Sequence, residues 1–254
     1  MIIDTHAHLI YERMNTEEII KNMKQEGLEK IITIGTDVKD SYLCQELAEK
    51  NENIYATVGI HPEYASNVTQ EDLKRIDYLA NKNKIVGIGE IGLDYHYTKE
   101  NIEKQKEIFL EQIKLAYKHN LPICIHSRDA KEDTYEILNK NKEYLKNSGV
   151  MHCYSYNSED VKKFVELGLY ISFAGNFTYK KYDIKSVKNI PLDKILVETD
   201  SPFLSPVPFR GEANEPKMVK YTLQKIADEL EMEVEKLEKQ ILENTYRLFT
   251  KMKR

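Results

Sequence analysis

The chain has 254 residues, 41% of them hydrophobic, with 37 basic against 42 acidic residues for a formal net charge of −5. That balance excludes attraction of nucleic acid through an overall positive field, so any polyanion it acts on must be held locally. No run of about 18 apolar residues offers a membrane span, and Cys44, Cys124 and Cys153 are too dispersed for a disulfide framework or a Cys-x-x-Cys zinc site.

Met1-Ile2-Ile3-Asp4 carries no basic leader, and a cytoplasmic protein with reduced, buried thiols is expected. In chain order, β-branched runs predict strands at Ile2–Leu9, Lys30–Gly35, Ile54–Gly59, Ile85–Glu90, Pro122–Ser127, Gly149–Cys153, Tyr170–Phe173 and Ile195–Thr199. Amphipathic segments separate them. In Ile102–Asn120, for example, Ile102, Ile108, Phe109, Ile113, Leu115 and Ala116 form an apolar stripe. Glu215–Phe249 reads as two helices packed outside the sheet, the second carrying Val234, Leu237, Ile241 and Leu248 at helical spacing. The acids from Glu229 to Glu238 read as its solvated face.

Strict β-then-α alternation requires parallel strands, and eight of them close most simply into a (β/α)8 TIM barrel, an α/β fold in one domain over residues 1–254. A doubly wound sheet is the alternative, but the Gly-x-Gly-x-x-Gly expected after its first strand is missing.

Ligand-type residues fall at the C-terminal ends of these strands: His6 and His8, Glu90, His126, His152 and Asp200. Barrel enzymes build their sites at that rim. Positions i and i+2 of a strand share a face, so His6 and His8 form a two-pronged ligand. A lone His-x-His is a weak signal; four further ligand-type residues at equivalent places make it a strong one. Imidazole with carboxylate suits zinc, manganese or iron, and the lack of thiolates argues against a closed structural zinc site. Alternation sends Cys153 toward the helices, and Cys124 shares the face of His126 about 7 Å deeper.

With these residues in place, the sequence resembles the TatD family of metal-dependent deoxyribonucleases, within the amidohydrolase-like barrel superfamily. The carrying motifs are Asp4-Thr5-His6-Ala7-His8-Leu9, Gly59-Ile60-His61-Pro62, Gly89-Glu90-Ile91-Gly92-Leu93-Asp94-Tyr95, His126-Ser127-Arg128-Asp129-Ala130, His152-Cys153 and Glu198-Thr199-Asp200-Ser201-Pro202. The resemblance implies two divalent metal ions (Mg2+, Mn2+ or Zn2+) bridged by Glu90, with His6, His8 and Asp200 on one and His126 and His152 on the other. It also implies hydrolysis of single-stranded DNA ends from the 3′ side. Two positions depart from the family pattern: Tyr156 stands where glycine is usual, and Glu212-Ala213 where a basic pair is common.

Asp200 is the expected general base as well as a ligand, with Glu90 beside it in the catalytic pair. His61 is expected to contact a substrate phosphate or to hold a ligand in place. Arg128 can grip a phosphate or pair with Asp129 or Asp94. Asp94 and Tyr95 are expected to line the substrate side. His119 is read as a helix cap. Tyr179-Lys180-Lys181-Tyr182 reads as a solvated helix start, with base stacking as the alternative. Ser201–Pro216 holds four of the seven prolines and should form a stiff wall. DNA is the expected partner, with neither a membrane nor an obligate protein partner. The competing reading is an amide or ester hydrolase, such as an aminoacyl-tRNA deacylase or lactonase, favoured by the acidic charge and the missing basic pair. A merely metal-stabilised binding module would not need so complete a ligand set.

Overall fold

The computed structural model describes residues 1–96 and 99–253. Its strands are β1 (Ile2–Ala7), β2 (Leu28–Ile34), β3 (Ile54–Val58), β4 (Ile85–Asp94), β5 (Ile123–Arg128), β6 (Gly149–Met151), β7 (Tyr170–Phe173) and β8 (Ile195–Val197). They pair in chain order, and every neighbouring pair is parallel. The β-branched runs suit these strands because each is covered on both faces. The ring closes at the mouth: Asp200 N–H donates to His6 O at 2.9 Å and His8 N–H to Ser201 O at 2.8 Å. An open doubly wound sheet would leave those two edges apart, so the barrel is the fold.

Helices α1 (Thr16–Asn22), α2 (Val38–Lys50), α3 (Gln70–Ala80), α4 (Ile102–His119), α5 (Lys131–Lys140), α6 (Val161–Glu166), α7 (Val219–Glu229) and α8 (Val234–Leu248) surround the strands. None among the described residues is long and apolar enough to cross a membrane. Their starts follow capping chemistry: Asp37 accepts from Asp40 N–H, and Thr69 with Asp72 forms a reciprocal box at α3. At the end of α4, Asn120 takes the left-handed conformation at φ 54° and its N–H satisfies Ala116 O and Tyr117 O. His119, expected as the cap, instead pairs with Asp77 Oδ1 of α3 at 2.6 Å.

Two glutamines on the inner face of α4 were invisible to an apolar-stripe reading. Gln112 is fully buried because its amide answers both backbone groups of Ile60, at 2.7 Å from N and 3.0 Å from O. Gln105 clamps Asp94 in the same way, at 2.9 Å and 3.0 Å. Each satisfies polar backbone that would otherwise be orphaned beside the site.

The core has two layers. The larger lies between strands and helices, where Ile31, Ile88, Phe109, Ile113, Leu223 and Ile241 meet. The smaller fills the barrel with the alternate strand residues, among them Ile3, Ile32, Tyr55, Val86, Cys124, Val150 and Leu196. Leu248, Phe249 and Met252 belong to this inner layer. The C-terminal segment therefore does more than pack outside: its end plugs the barrel opposite the mouth, and Lys253 N–H reaches Tyr55 Oη at 3.1 Å.

Candidate metal centre

Six strand-end side chains meet around Glu90. Its Oε1 lies 2.9 Å from His126 Nδ1, 2.9 Å from His152 Nε2 and 3.6 Å from His61 Nε2. Its Oε2 lies 3.4 Å from His6 Nε2 and 3.9 Å from His8 Nε2. Asp200 Oδ1 stands on this second side, 3.6 Å from His6 Nε2 and 3.3 Å from His8 Nε2. One carboxylate thus faces two separate imidazole groups, one with each oxygen. β4 continues beyond Glu90 to Asp94, so Glu90 sits within the strand rather than at its end.

Burial alone would push the Glu90 carboxyl up, but His152, His61 and His126 together hold it well below the usual carboxylate range. Asp200 is lowered in the same way, burial being outweighed by His8 and His6. For His126 and His152 burial opposes the proton, and the surrounding acids more than reverse it. His61 falls to about 3, through burial and then the nearby His126. His6 is lowered by burial and by His152, whose ring stacks on it at 4.0 Å. Its Nε2 is buried without a hydrogen-bond partner among the described residues. A buried lone pair aimed at two carboxylates fits a cation, and the all-nitrogen-and-oxygen donor set suits a divalent one. Ligand atoms of His6, His8 and Glu90 lie within 4.8 Å of one another, and so do those of His61, Glu90 and His126.

Three of the histidines are held from behind. His126 Nε2 lies 2.9 Å from Asp94 Oδ2. His152 Nδ1 lies 3.1 Å from Glu198 Oε1, and His6 Nδ1 lies 3.5 Å from Cys124 Sγ. Such partners fix tautomer and ring orientation, leaving the other nitrogen for a metal. His61 differs: its Nδ1 accepts from Glu63 N–H at 3.2 Å, which puts the neutral ring's proton on Nε2, facing Glu90. Below the mouth, Asp4 accepts from the Thr199 hydroxyl and from Thr199 N–H at 2.9 Å, tying β1 to the segment bearing Asp200. Burial raises Asp4 to about 8.

The cluster opens into a cavity of about 890 Å³, lined by Arg128 and His61 as well as His8, Glu90, His126, His152 and Asp200. Arg128 lies at the end of β5; burial would raise the Asp94 carboxyl, but His126 lowers it, with a smaller contribution from the Arg128 charge. Asp94 and Tyr95, expected to face substrate, are placed otherwise. Asp94 is buried and spends its oxygens on His126 and on His96 N–H, while Tyr95 donates to Asp133 Oδ2 of α5 at 2.7 Å.

Cys153 lines the cavity instead of facing the helices. β6 ends at Met151 and Cys153 has φ 43°, so strand alternation no longer sets its direction. Cys124 is buried as expected, but it touches His6 because depth along one tilted strand is not distance from another. Tyr156 folds into the wall, its hydroxyl 2.7 Å from Ser127 Oγ. Tyr179 and Tyr182 turn inward, to Ser205 O and Tyr154 O, which removes them as a stacking surface. Glu198 had no assigned role in the sequence reading. Strand periodicity does not reach it, because β8 ends at Val197 and Asp200 has φ 57°.

Comparison with known proteins agrees with this geometry. A family model described as TatD related DNase matches residues 3–250. The metal-dependent hydrolase YabD of Bacillus subtilis (strain 168) is 44% identical over 98% of this chain and 99% of its own length. The metal-dependent hydrolase YcfH of Escherichia coli (strain K12) is 33% identical over 98% and 95%. The crystal structure of YJJV, a TatD homolog from Escherichia coli k12, superposes with a TM-score of 0.90 at 28% identity, covering 98% of both chains. With the match running from β1 to the C-terminal plug, the chain belongs to the TatD-related DNase family and is a metal-dependent hydrolase.

Proposed function

We propose that this hydrolase is a deoxyribonuclease that trims single-stranded DNA ends from the 3′ side with two divalent cations, Mg2+, Mn2+ or Zn2+. The observation that carries the reading is the two-sided environment of Glu90, with His126 and His152 at Oε1 and His6 and His8 at Oε2. His6, His8 and Asp200 would hold one ion and His126 and His152 the other, with Glu90 shared. When bound, the ions supply the acidity that brings a water's pKa toward about 7 and the positive charge that offsets developing charge on phosphoryl oxygens.

The chain's own residues supply the rest. Asp200, held ionised and open to the cavity, accepts the proton of the attacking water on a carboxylate oxygen. Arg128 offers a planar fork to a non-bridging phosphate oxygen pair. His61, with its proton on Nε2, steadies Glu90. Asp94 and Glu198 keep His126 and His152 in the orientation the ions require.

The test is incubation of purified protein with end-labelled single-stranded DNA and each cation. Release of mononucleotides is expected, together with its loss in His126→Ala; no release with any of the three cations would sink the reading. One observation favours the amide or ester alternative: the cavity is lined by Glu12, Asp37, Asp40 and Glu63, which outnumber Lys39 and Arg128. Turnover of lactones, esters or aminoacyl-tRNA far above that of DNA would make this second reading the better one.

A further inference from the structure

The mouth of the barrel is not uniform. Of the nine large apolar side chains most exposed among the described residues, four line this one cavity: Tyr11, Leu43, Tyr64 and Phe203. They come from the segments after β1, β2, β3 and β8, which are neighbours around the ring. Phe203 meets His8 edge to face, with ring centroids 5.8 Å apart, so the apolar patch begins beside the metal ligands. Tyr11 meets Phe203 at 5.3 Å and 70°, and the two residues remain 38% and 42% exposed. Apolar rings left in water beside a charged cluster cost free energy unless a ligand covers them.

Charge decides what that ligand can be. The same flank carries Glu12, Asp37, Asp40 and Glu63 against Lys39 alone, whereas Arg128 lies across the cavity at the end of β5. A second phosphate could not settle among four carboxylates, but a flat uncharged ring could. The N–H groups on a nucleobase edge are donors that carboxylates accept, and bases stack on aromatic side chains whatever their identity. We propose that this flank is a subsite for the single terminal nucleobase of a DNA strand, stacked on Phe203 with the Tyr11 ring, 70° from it, against the base edge, and with the phosphate chain leaving over Arg128. The subsite rests on the nuclease reading above and narrows it: the substrate is a strand end with an unpaired, unphosphorylated terminal nucleoside.

A substrate-by-variant cycle tests it. Single-stranded oligonucleotides ending in a normal nucleotide or in an abasic one are given to wild type and to Phe203→Ala and Tyr11→Ala, which alter exposed positions. In the wild type the abasic end should raise KM about tenfold, the scale of one lost stacking contact, with kcat changed less. Phe203→Ala should lose a similar factor on the normal end and little more on the abasic one. A terminal phosphate should be rejected by the wild type and better tolerated by Glu12→Gln with Glu63→Gln. Equal KM for normal and abasic ends, or losses that simply multiply, would overturn the subsite while leaving the nuclease intact. Failure of the wild type to cut either end with any cation would instead remove the nuclease reading and the subsite with it.

Discussion

Glu198 Oε1 stands 3.1 Å from His152 Nδ1 while accepting Cys153 N–H at 2.7 Å, so one buried oxygen holds both the ring and the backbone turn behind it. Removing it should free the ring. Glu198→Ala is expected to weaken cation binding about 10- to 100-fold, with Glu198→Gln milder because its amide oxygen can still accept. Calorimetric titration of Mn2+ into chelator-treated protein reads this directly; wild-type affinity in Glu198→Ala would rule out the positioning role.

Glu90 faces both imidazole groups, so its loss should not be equivalent to the loss of one histidine. Elemental analysis after metal loading and desalting is expected to find both ions gone in Glu90→Ala. His152→Ala should keep the ion on the His6 and His8 side. Mn2+ is expected to raise the melting temperature of the wild type and to leave that of Glu90→Ala unchanged, since only binding to the folded state stabilises it.

Gln112 satisfies both backbone groups of Ile60, immediately before His61. Gln112→Ala leaves a buried N–H and C=O unsatisfied, an expected loss of about 1–3 kcal/mol for each group left unpaired. Urea unfolding measures it. Gln112→Glu, which keeps the acceptor for Ile60 N–H but not the donor, should lose stability as well.

Phe249 closes the inner layer of the barrel and is 1% exposed. Phe249→Ala should cost about 3–5 kcal/mol through lost burial and the cavity left behind. Because the metal centre is at the opposite end, the folded fraction should bind cations as the wild type does. Chemical denaturation and a metal titration on the same preparation separate the two effects.

Asp77 offers a pH test away from the centre. Partial burial would raise its carboxyl, but hydrogen bonds from Lys118 and His119 outweigh that and lower it. A depressed carboxyl stabilises the fold above its unfolded value, near pH 3.8, and the contribution fades as pH falls through the lower folded one. Asp77→Asn should therefore be less stable than wild type at pH 7, by about 1 kcal/mol at most for a partly exposed cluster. The difference should shrink in a melt near pH 3. A gap that widened on acidification would contradict the sign.

The barrel was legible because eight β-branched runs alternate with amphipathic ones, and the His6–His8 pair because strand periodicity places both on one face. Periodicity failed where strands stop. β6 ends before His152 and β8 before Asp200, whose φ is 57°, so directions around Cys153 and Asp200 depend on backbone turns that spacing does not encode. Asp94 and Tyr95 were read as lining the pocket because they follow Glu90. β4 runs on through Asp94, and partners distant in sequence, His126 and Asp133, claim both side chains. Gln105 and Gln112 stayed hidden for the same reason: a polar residue on a buried helix face makes sense only once the backbone it satisfies is known.

The floor formed by Leu248, Phe249 and Met252 has a consequence for traffic. Above it the barrel interior is an apolar column that rises to Cys124, in contact with His6. The floor closes this column from below, and the buried hydroxyls of Thr57 and Ser172 interrupt its apolar lining. Asp200 opens to the cavity at the mouth, so a molecule occupying that mouth would also screen the site from outside water until it leaves.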